Sequence, residues 1–348
     1  MRSNQKKFSF RDLKRCFIIA EVSANHGQKF DTAVRMIHEA KRCGADAVKF
    51  QTYTPDTITL KCDNKYFHIG HSKWKGQTLH ELYQKAYTPW DWFGRLKKAA
   101  DDAGIIFFSA AFDRTAVDLL ESLDVPFHKV ASFELNDLPL IEYMARTRKP
   151  IIMSTGMATV AEIKEAVNTA RKAGASEIVL LRCVSSYPAQ PKDMNLRTIP
   201  DLKKRFKCAV GLSDHSMGPN AAIAAVCVGA TVVEKHFILS KKTKTPDSFF
   251  SIDPEELKDL IRQVRLTEEM LGKVSYGLST EEIKNRTFRR SLFAVKDIAK
   301  GEVLTEDNVR SIRPAHGLSP RHFKAILGKK AKAAIVYGTP LTKTLIGR

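Results

Sequence analysis

The sequence predicts a parallel (β/α)8, or TIM, barrel followed by a small β-rich module. Three observations carry that prediction: eight short apolar, β-rich runs recur between residues 17 and 239, helical patterns separate them, and the runs end in polar residues. Eight strand–helix units over about 250 residues is the usual size of such a barrel. Continuous apolar runs belong to strands buried on both faces, hence to a parallel sheet. The competing architecture, an open doubly wound sheet, would place a GxGxxG turn after the first strand, and none is there.

The strands are read in order as "FIIAEVSA" (17–24), "AVKFQTY" (47–53), "IIFFSAAF" (105–112) and "FHKVASF" (127–133), then "PIIMSTG" (150–156), "IVLLRCVSSYP" (178–188), "CAVGLSDHS" (208–216) and "TVVEKHFIL" (231–239). Between them, segments such as "FDTAVRMIHEAKRCGA", "TVAEIKEAVNTARKAGA" and "PEELKDLIRQVRLTEEML" repeat apolar residues at helical spacing. Gly44, Gly104 and Gly174 mark helix C-termini before the next strand. Residues 54–88 are an insertion after the second strand, so they are expected over the C-terminal mouth as a substrate loop or lid. From about residue 272 the pattern changes to "GKVSYGLSTEEIKNRTF" and then to short strands and turns punctuated by Gly301, Gly317, Gly328 and Gly338. The expected domains are therefore a catalytic barrel over 1–272, a linker over 273–288 and a β-rich module over 289–348. At about 60 residues, that module is small enough to need a neighbour for stability.

Composition narrows the class. The 348 residues are 43% hydrophobic and 27% charged, enough for a sizeable core. No apolar run approaches a membrane span, and "MRSNQKKFSFRDLKRC" lacks an apolar targeting core, so a cytoplasmic protein without membrane attachment is expected. The six cysteines form no CxxC pair and read as free thiols rather than a disulfide framework or a zinc ribbon. The net charge of +19 comes from dispersed lysines, without a basic tail interleaved with aromatics. That scatter favours a solvated surface serving an anionic substrate over a nucleic-acid partner.

The polar strand ends carry the chemistry. Polar residues closing barrel strands face the catalytic mouth. They are Glu21, Ser23, Asn25, His26, Lys49, Gln51, Ser109, Lys129, Ser132, Glu134, Ser154, Thr155, Ser185, Ser186, Tyr187, Ser213, Asp214, His215, Glu234, Lys235 and His236. One such interruption is commonly a satisfied core group, but the same end of all eight strands is hard to explain by packing. Lys49 and Lys129, with hydroxyls from Ser109, Ser132, Ser154 and Ser213, suit a carboxylate and a phosphate. His215 and His236, on adjacent strand ends beside a carboxylate, suit a divalent metal with open positions.

These motifs resemble the sialic acid synthase family, whose members condense phosphoenolpyruvate with an amino sugar to give a nonulosonic acid. "FIIAEVSANHG", "GADAVKFQTY", "KVASFEL", "STGMAT", "SSYPA", "GLSDHS" and "VVEKHF" occur in the family's order, and "RRSLFAVKDIAKGEVLTEDNV" with "IRPAHGLSP" resembles its antifreeze-like (SAF) C-terminal domain. The resemblance implies that Lys49, Ser109, Lys129, Ser132, Ser154, Ser185 and Ser213 hold phosphoenolpyruvate. It implies that His215 and His236 bind Mn2+, with Mg2+ or Co2+ as alternatives, and that Glu21 lies near the metal's water. Gln51, Glu134, Tyr187, Asp247 and Arg313 would address the sugar, Arg313 from the neighbouring subunit of a domain-swapped homodimer. Glu134 is the first choice for handling the proton of the attacking water, and Glu21 the second.

Within the family, "SANHG", "QTYTPDTITL", "SKWKGQTLHELYQKAYTPW" and "DSFFSIDPEEL" are most similar to the branch that makes pseudaminic acid from 2,4-diacetamido-2,4,6-trideoxy-L-altrose. Tyr66, Phe67 and Trp74 in the insertion fit contact with that sugar's methyl groups. N-acetylneuraminate and legionaminic acid synthases are the alternatives within the family. Synthases of deoxy sugar acid phosphates are an alternative outside it, but their terminal phosphate calls for a second basic cluster, and this mouth has one.

Overall fold

A computed structural model describes residues 8–70 and 74–347. The first seven residues of the basic N-terminus and His71–Lys73 of the insertion lie outside the described residues. The chain divides into two compact units, Met1–Gly272 and Lys273–Arg348.

The first unit is a closed barrel of eight parallel strands in sequential order. They are β1 (Phe17–Glu21), β2 (Ala47–Thr52), β3 (Ile106–Ala111), β4 (His128–Val130), β5 (Ile151–Ser154), β6 (Ile178–Cys183), β7 (Ala209–Asp214) and β8 (Val232–His236). The β1–β8 ladder closes the barrel, with Glu21 opposite His236. Long helices follow the strands, among them Phe30–Cys43, Val160–Ala173 and Pro254–Leu271. Gly44, Gly104 and Gly174 end their helices at φ +96°, +68° and +103°, the left-handed conformation that glycine adopts freely.

Several strands stop earlier than their apolar runs. After β1 and β4 the chain winds into 3-10 turns, Ser23–His26 and Ser132–Glu134. After β6 it leaves the sheet at Val184 and meets the chain just past β7 again at an isolated Ala189–Ser216 bridge. These early exits swing the polar residues out of the ladder and across the mouth. At the opposite end, Phe8 and Phe10 pack on Phe17 and Phe127 with ring centroids 4.8–6.1 Å apart. Among the described residues no helix is long and apolar enough to cross a membrane. All six cysteines are free thiols, with Cys16, Cys43, Cys183 and Cys208 buried.

The insertion after β2 forms two short helices, Pro55–Ile58 and Leu79–Ala86, joined across a His68–Thr78 bridge. Trp74 extends from it to pack edge-on against Tyr187 and Phe249, with centroids 6.1 and 6.2 Å away. The insertion thus reaches residues of the mouth.

The second unit contains an antiparallel pair, β9 (Ser291–Ala294) and β10 (Val309–Ile312), and further isolated bridges. Its core is Leu292, Ala294, Ile298, Leu304, Val309, Ile326, Ala331, Ile335, Leu341 and Ile346. A short helix, Thr280–Asn285, lies within the segment expected as a linker.

Candidate active site

Side chains two apart on a strand share a face. Lys49 and Gln51 on β2, and Glu234 and His236 on β8, therefore point together into the barrel mouth. Glu234 is the centre of charge there. It accepts from Ser213 Oγ at 3.0 Å and lies 3.2 Å from the Lys49 ammonium and 3.9 Å from that of Lys129. Lys49 also lies 3.4 Å from Glu21, and Lys129 donates to Ser154 Oγ at 2.7 Å. All six of these charged and hydroxyl residues are nearly inaccessible to solvent.

Burial and charge set the proton affinities. Burial pulls Lys129 down to about 8, only partly offset by Glu234. Burial alone would raise Glu234, but Lys129 and Lys49 outweigh it and hold the carboxylate below its ordinary value. Glu21 is pushed up to about 7 by burial, against the pull of Lys49. Glu134, from the turn after β4, is also raised to about 7 by burial. One oxygen on each of Glu21, Glu134 and Glu234 is buried without a hydrogen-bond partner among the described residues.

His215 and His236 meet with ring centroids 5.3 Å apart. His215 Nδ1 donates to the Val184 carbonyl at 2.9 Å, so Nε2 is the nitrogen a metal would meet, while against the effect of burial Cys183 and this carbonyl favour the protonated ring. His236 Nδ1 is buried without a partner, and burial together with His215 and the nearby lysines holds this imidazole well below its ordinary pKa. A neutral ring with an unsatisfied nitrogen is the form that ligates a metal. Among the described residues no group of three or more His, Cys, Asp and Glu side chains is arranged to hold an ion. A cation here would take two imidazoles from the chain and keep its other positions for water and substrate. The donor set fits that role.

The hydroxyls form a cradle beside the lysines. Ser132 Oγ accepts from the Gly156 N–H at 3.1 Å, and a Cβ at Gly156 would stand 2.2 Å from Ser185 Oγ. Ser109 accepts from Thr52 at 2.7 Å, a partner the sequence pattern did not single out. Gln51 Nε2 donates to Glu21 at 2.8 Å and to Ser23 Oγ at 3.0 Å, and Ser23 in turn donates to Asp247. The Tyr187 ring lies 4.5 Å from that of His215 and 5.0 Å from Phe250. Arg313 is exposed on the second unit.

Other members of the polar ring do structural work: Asn25 donates to the Phe237 carbonyl at 2.9 Å and to Ser251 Oγ at 2.8 Å, and Thr155 donates to the Leu181 carbonyl at 3.0 Å. Asp214 and Lys235 lie on the opposite pleat face from Ser213 and Glu234 and form a fully buried ion pair at 2.7 Å. His26 is a satisfied core imidazole: its Nε2 is 3.0 Å from Thr88 Oγ1, its Nδ1 accepts from the Gln28 N–H at 3.0 Å, and burial lowers it to about 4. Glu234, one of the predicted polar strand ends, gains a specific role between the two lysines, and Cys183, which was not among them, gains a place in the site. Glu234 was legible in "VVEKHF" from its period-two relation to His236. Cys183, whose Sγ lies 3.8 Å from His215 Nδ1, ends an apolar run without any signal of its own.

The chain matches the NeuB family over residues 36–276 and the SAF domain over 289–346. It is 42% identical over 336 residues to the pseudaminic acid synthase of Campylobacter jejuni subsp. jejuni strain 81-176, covering 97% of this chain and 98% of that protein. It is 44% identical to the pseudaminic acid synthase of Helicobacter pylori, covering 95% and 98%. The N,N'-diacetyllegionaminic acid synthase of Legionella pneumophila is 34% identical, covering 94% and 93%. Among solved structures, the N-acetylneuraminic acid synthetase of Leptospira borgpetersenii superimposes with a TM-score of 0.71 at 30% identity, over 81% of this chain and 96% of that one.

Proposed function

We infer the function from membership: the chain belongs to the NeuB family and carries an SAF domain at its C-terminal end. We propose that it condenses phosphoenolpyruvate with 2,4-diacetamido-2,4,6-trideoxy-L-altrose to give pseudaminic acid and inorganic phosphate. The observation that supports the chemistry is the convergence of two buried lysines, a serine cradle and a histidine pair at one end of the barrel. The choice of sugar rests on the relatives named for it, which match along nearly the whole chain.

In this reading Lys49 and Lys129, with Ser109, Ser132, Ser154, Ser185 and Ser213, hold the carboxylate and phosphate of phosphoenolpyruvate. Gln51, Asp247 and Tyr187 orient the open-chain sugar so that its aldehyde carbon faces carbon-3 of phosphoenolpyruvate. His215 and His236 would hold Mn2+, or Mg2+ or Co2+ in its place, which supplies Lewis-acid polarisation of a carbonyl. A new carbon–carbon bond forms between carbon-3 and the aldehyde carbon, whose oxygen takes up a proton. Water adds at carbon-2, and phosphate leaves with the bridging oxygen by carbon–oxygen cleavage. Glu134 would take the proton of that water: its carboxyl, raised to about 7 by burial, is ionised in a useful fraction near neutral pH. Glu21 is less free, since Gln51 and Lys49 engage one of its oxygens.

The working unit in this proposal is a domain-swapped homodimer in which Arg313 serves the partner's sugar site. Its exposure leaves it available for that role. The reaction belongs in the cytoplasm, where phosphoenolpyruvate is made. The test follows phosphate release and product mass with phosphoenolpyruvate, Mn2+ and each of three sugars. The 6-deoxy diacetamido sugar should far exceed N-acetylmannosamine and the legionaminic acid precursor, since mismatched stereocentres misplace the aldehyde. Comparable rates with N-acetylmannosamine would overturn the branch and leave the family standing.

A further inference from the structure

Ser23 occupies a backbone position built for glycine. Its φ is +46°, in the left-handed region where a Cβ is strained and glycine is not. Nothing about the turn Ser23–His26 needs a serine for its shape. Strain of this kind persists where the surroundings over-determine it, and it clusters at functional sites. Here the side chain has a visible task. Its hydroxyl, buried at 3% exposure, accepts from Gln51 Nε2 at 3.0 Å and donates to Asp247 Oδ2. One atom thereby ties the end of β1 to the end of β2 and to the loop after β8. The same Asp247 oxygen receives the Ala24 N–H at 3.4 Å, so the turn grips the carboxylate twice. Gln51 is gripped twice as well, by Ser23 and by Glu21 at 2.8 Å.

The consequence is directional. Both donor bonds of the Gln51 amide face inward, so its Oε1 must face the other way. Asp247 presents Oδ2 to the turn, so Oδ1 is the oxygen left to project. Neither Gln51 Oε1 nor Asp247 Oδ1 has a hydrogen bond among the described residues. We propose that Ser23 is a positioning residue for the sugar: it fixes Gln51 and Asp247 so that two unpaired acceptors face the hydroxyl and amide N–H donors of the substrate. This rests on the assignment of Gln51 and Asp247 to the sugar. It predicts a site that reads N–H and O–H donors through a preset pair of acceptors, at the cost of a strained residue.

Two substitutions separate this from a packing role. Ser23→Gly removes hydroxyl and strain together, whereas Ser23→Ala removes the hydroxyl and keeps the strain. Steady-state kinetics are measured with each substrate varied at saturating levels of the other, beside thermal melts. Both variants should lose about 10- to 100-fold in kcat/KM for the sugar, the range for groups that orient a ligating residue. KM for phosphoenolpyruvate should stay within about twofold, and Ser23→Gly should melt above Ser23→Ala, because both lose the hydroxyl and only the glycine also relieves the strain. Wild-type sugar kinetics in either variant would overturn the inference, as would equal losses for both substrates. Turnover of none of the three sugars by the wild type would overturn the proposed function and this inference together. Wild-type turnover with unaltered Ser23 variants would overturn this inference alone.

Discussion

Gly156→Ala adds one methyl group where the mouth has no room for it. On the observed backbone the new Cβ would stand 2.2 Å from Ser185 Oγ, 2.8 Å from Ser132 Oγ and 3.1 Å from Ser132 Cβ. Ordinary contacts lie at about 3.5 Å or more, so both hydroxyls must swing away by roughly an ångström. They are the ends of short side chains, so an off-rotamer serine costs about 0.5–1.5 kcal/mol and the barrel should survive. Binding is affected differently. If each displaced hydroxyl had bonded the charged groups of phosphoenolpyruvate, each loss is about 1.5–3 kcal/mol. Together they amount to at least about 3 kcal/mol, or roughly 100-fold in affinity.

The assay pairs a thermal melt with calorimetric titration of phosphoenolpyruvate. The expected result is a small drop in melting temperature beside a large loss of affinity. In a Ser132→Ala/Ser185→Ala background the same glycine substitution has no hydroxyl left to displace, so its effect on affinity should nearly vanish. Phosphoenolpyruvate binding unchanged in Gly156→Ala would refute the cradle, because the geometry leaves the serines nowhere to remain.

The metal prediction is that His215→Ala and His236→Ala each weaken Mn2+ binding by about 100-fold or more in a titration of the metal alone, while the melt without metal moves little. For Glu134, burial holds the carboxyl at about 7, so it is protonated below that pH and able to accept a proton above it. Turnover should therefore fall as pH drops from 8 to 6, and Glu134→Gln should be slow and lack that limb; an unaltered limb in the variant would assign it to another group. The same raised value means that ionising Glu134 costs the folded state stability as pH rises through about 7, so the variant should gain relative stability on the alkaline side. For Arg313, co-expressed Arg313→Ala and His215→Ala chains should regain activity in mixed dimers, since one barrel of each pair then has both an intact site and an intact partner module. Verified heterodimers at background activity would place the arginine in its own chain's site or in none.

How much of this was legible depended on whether a feature is periodic. Alternation of apolar strands and helices fixed the barrel, and the helix-ending glycines fell at left-handed positions as the spacing implied. Polar strand ends located the mouth, but reading them as ends rather than faces counted too many residues. In "GLSDHS" and "VVEKHF" the alternation of strand side chains already separates Ser213 and Glu234 from Asp214 and Lys235. The fate of His26 was not local at all, because it was decided by Thr88, sixty-two residues away. Ser23 is hidden more deeply: its meaning lies in a backbone angle, and a serine after a strand looks like any other polar end.

The electrostatics of the mouth explain why a carboxylate belongs among residues chosen to bind anions. Lys49 and Lys129 are both buried, and two ammonium groups cannot both stay protonated in that setting without compensation. Glu234 lies within 4 Å of both, at 3.2 and 3.9 Å, and supplies that compensation while the anionic substrate is away. Even so, Lys129 is lowered to about 8, close to losing its charge. An arriving phosphate or carboxylate adds negative charge beside the same two lysines and strengthens the hold of Lys129 on its proton. By linkage, phosphoenolpyruvate should then bind with proton uptake at alkaline pH, and its affinity should decline as pH rises past about 8. The free-enzyme value is set chiefly by burial of Lys129, so moving this decline needs a change at Lys129 or its counter-charge, and the dispersed surface lysines that make up most of the +19 should have little influence on it.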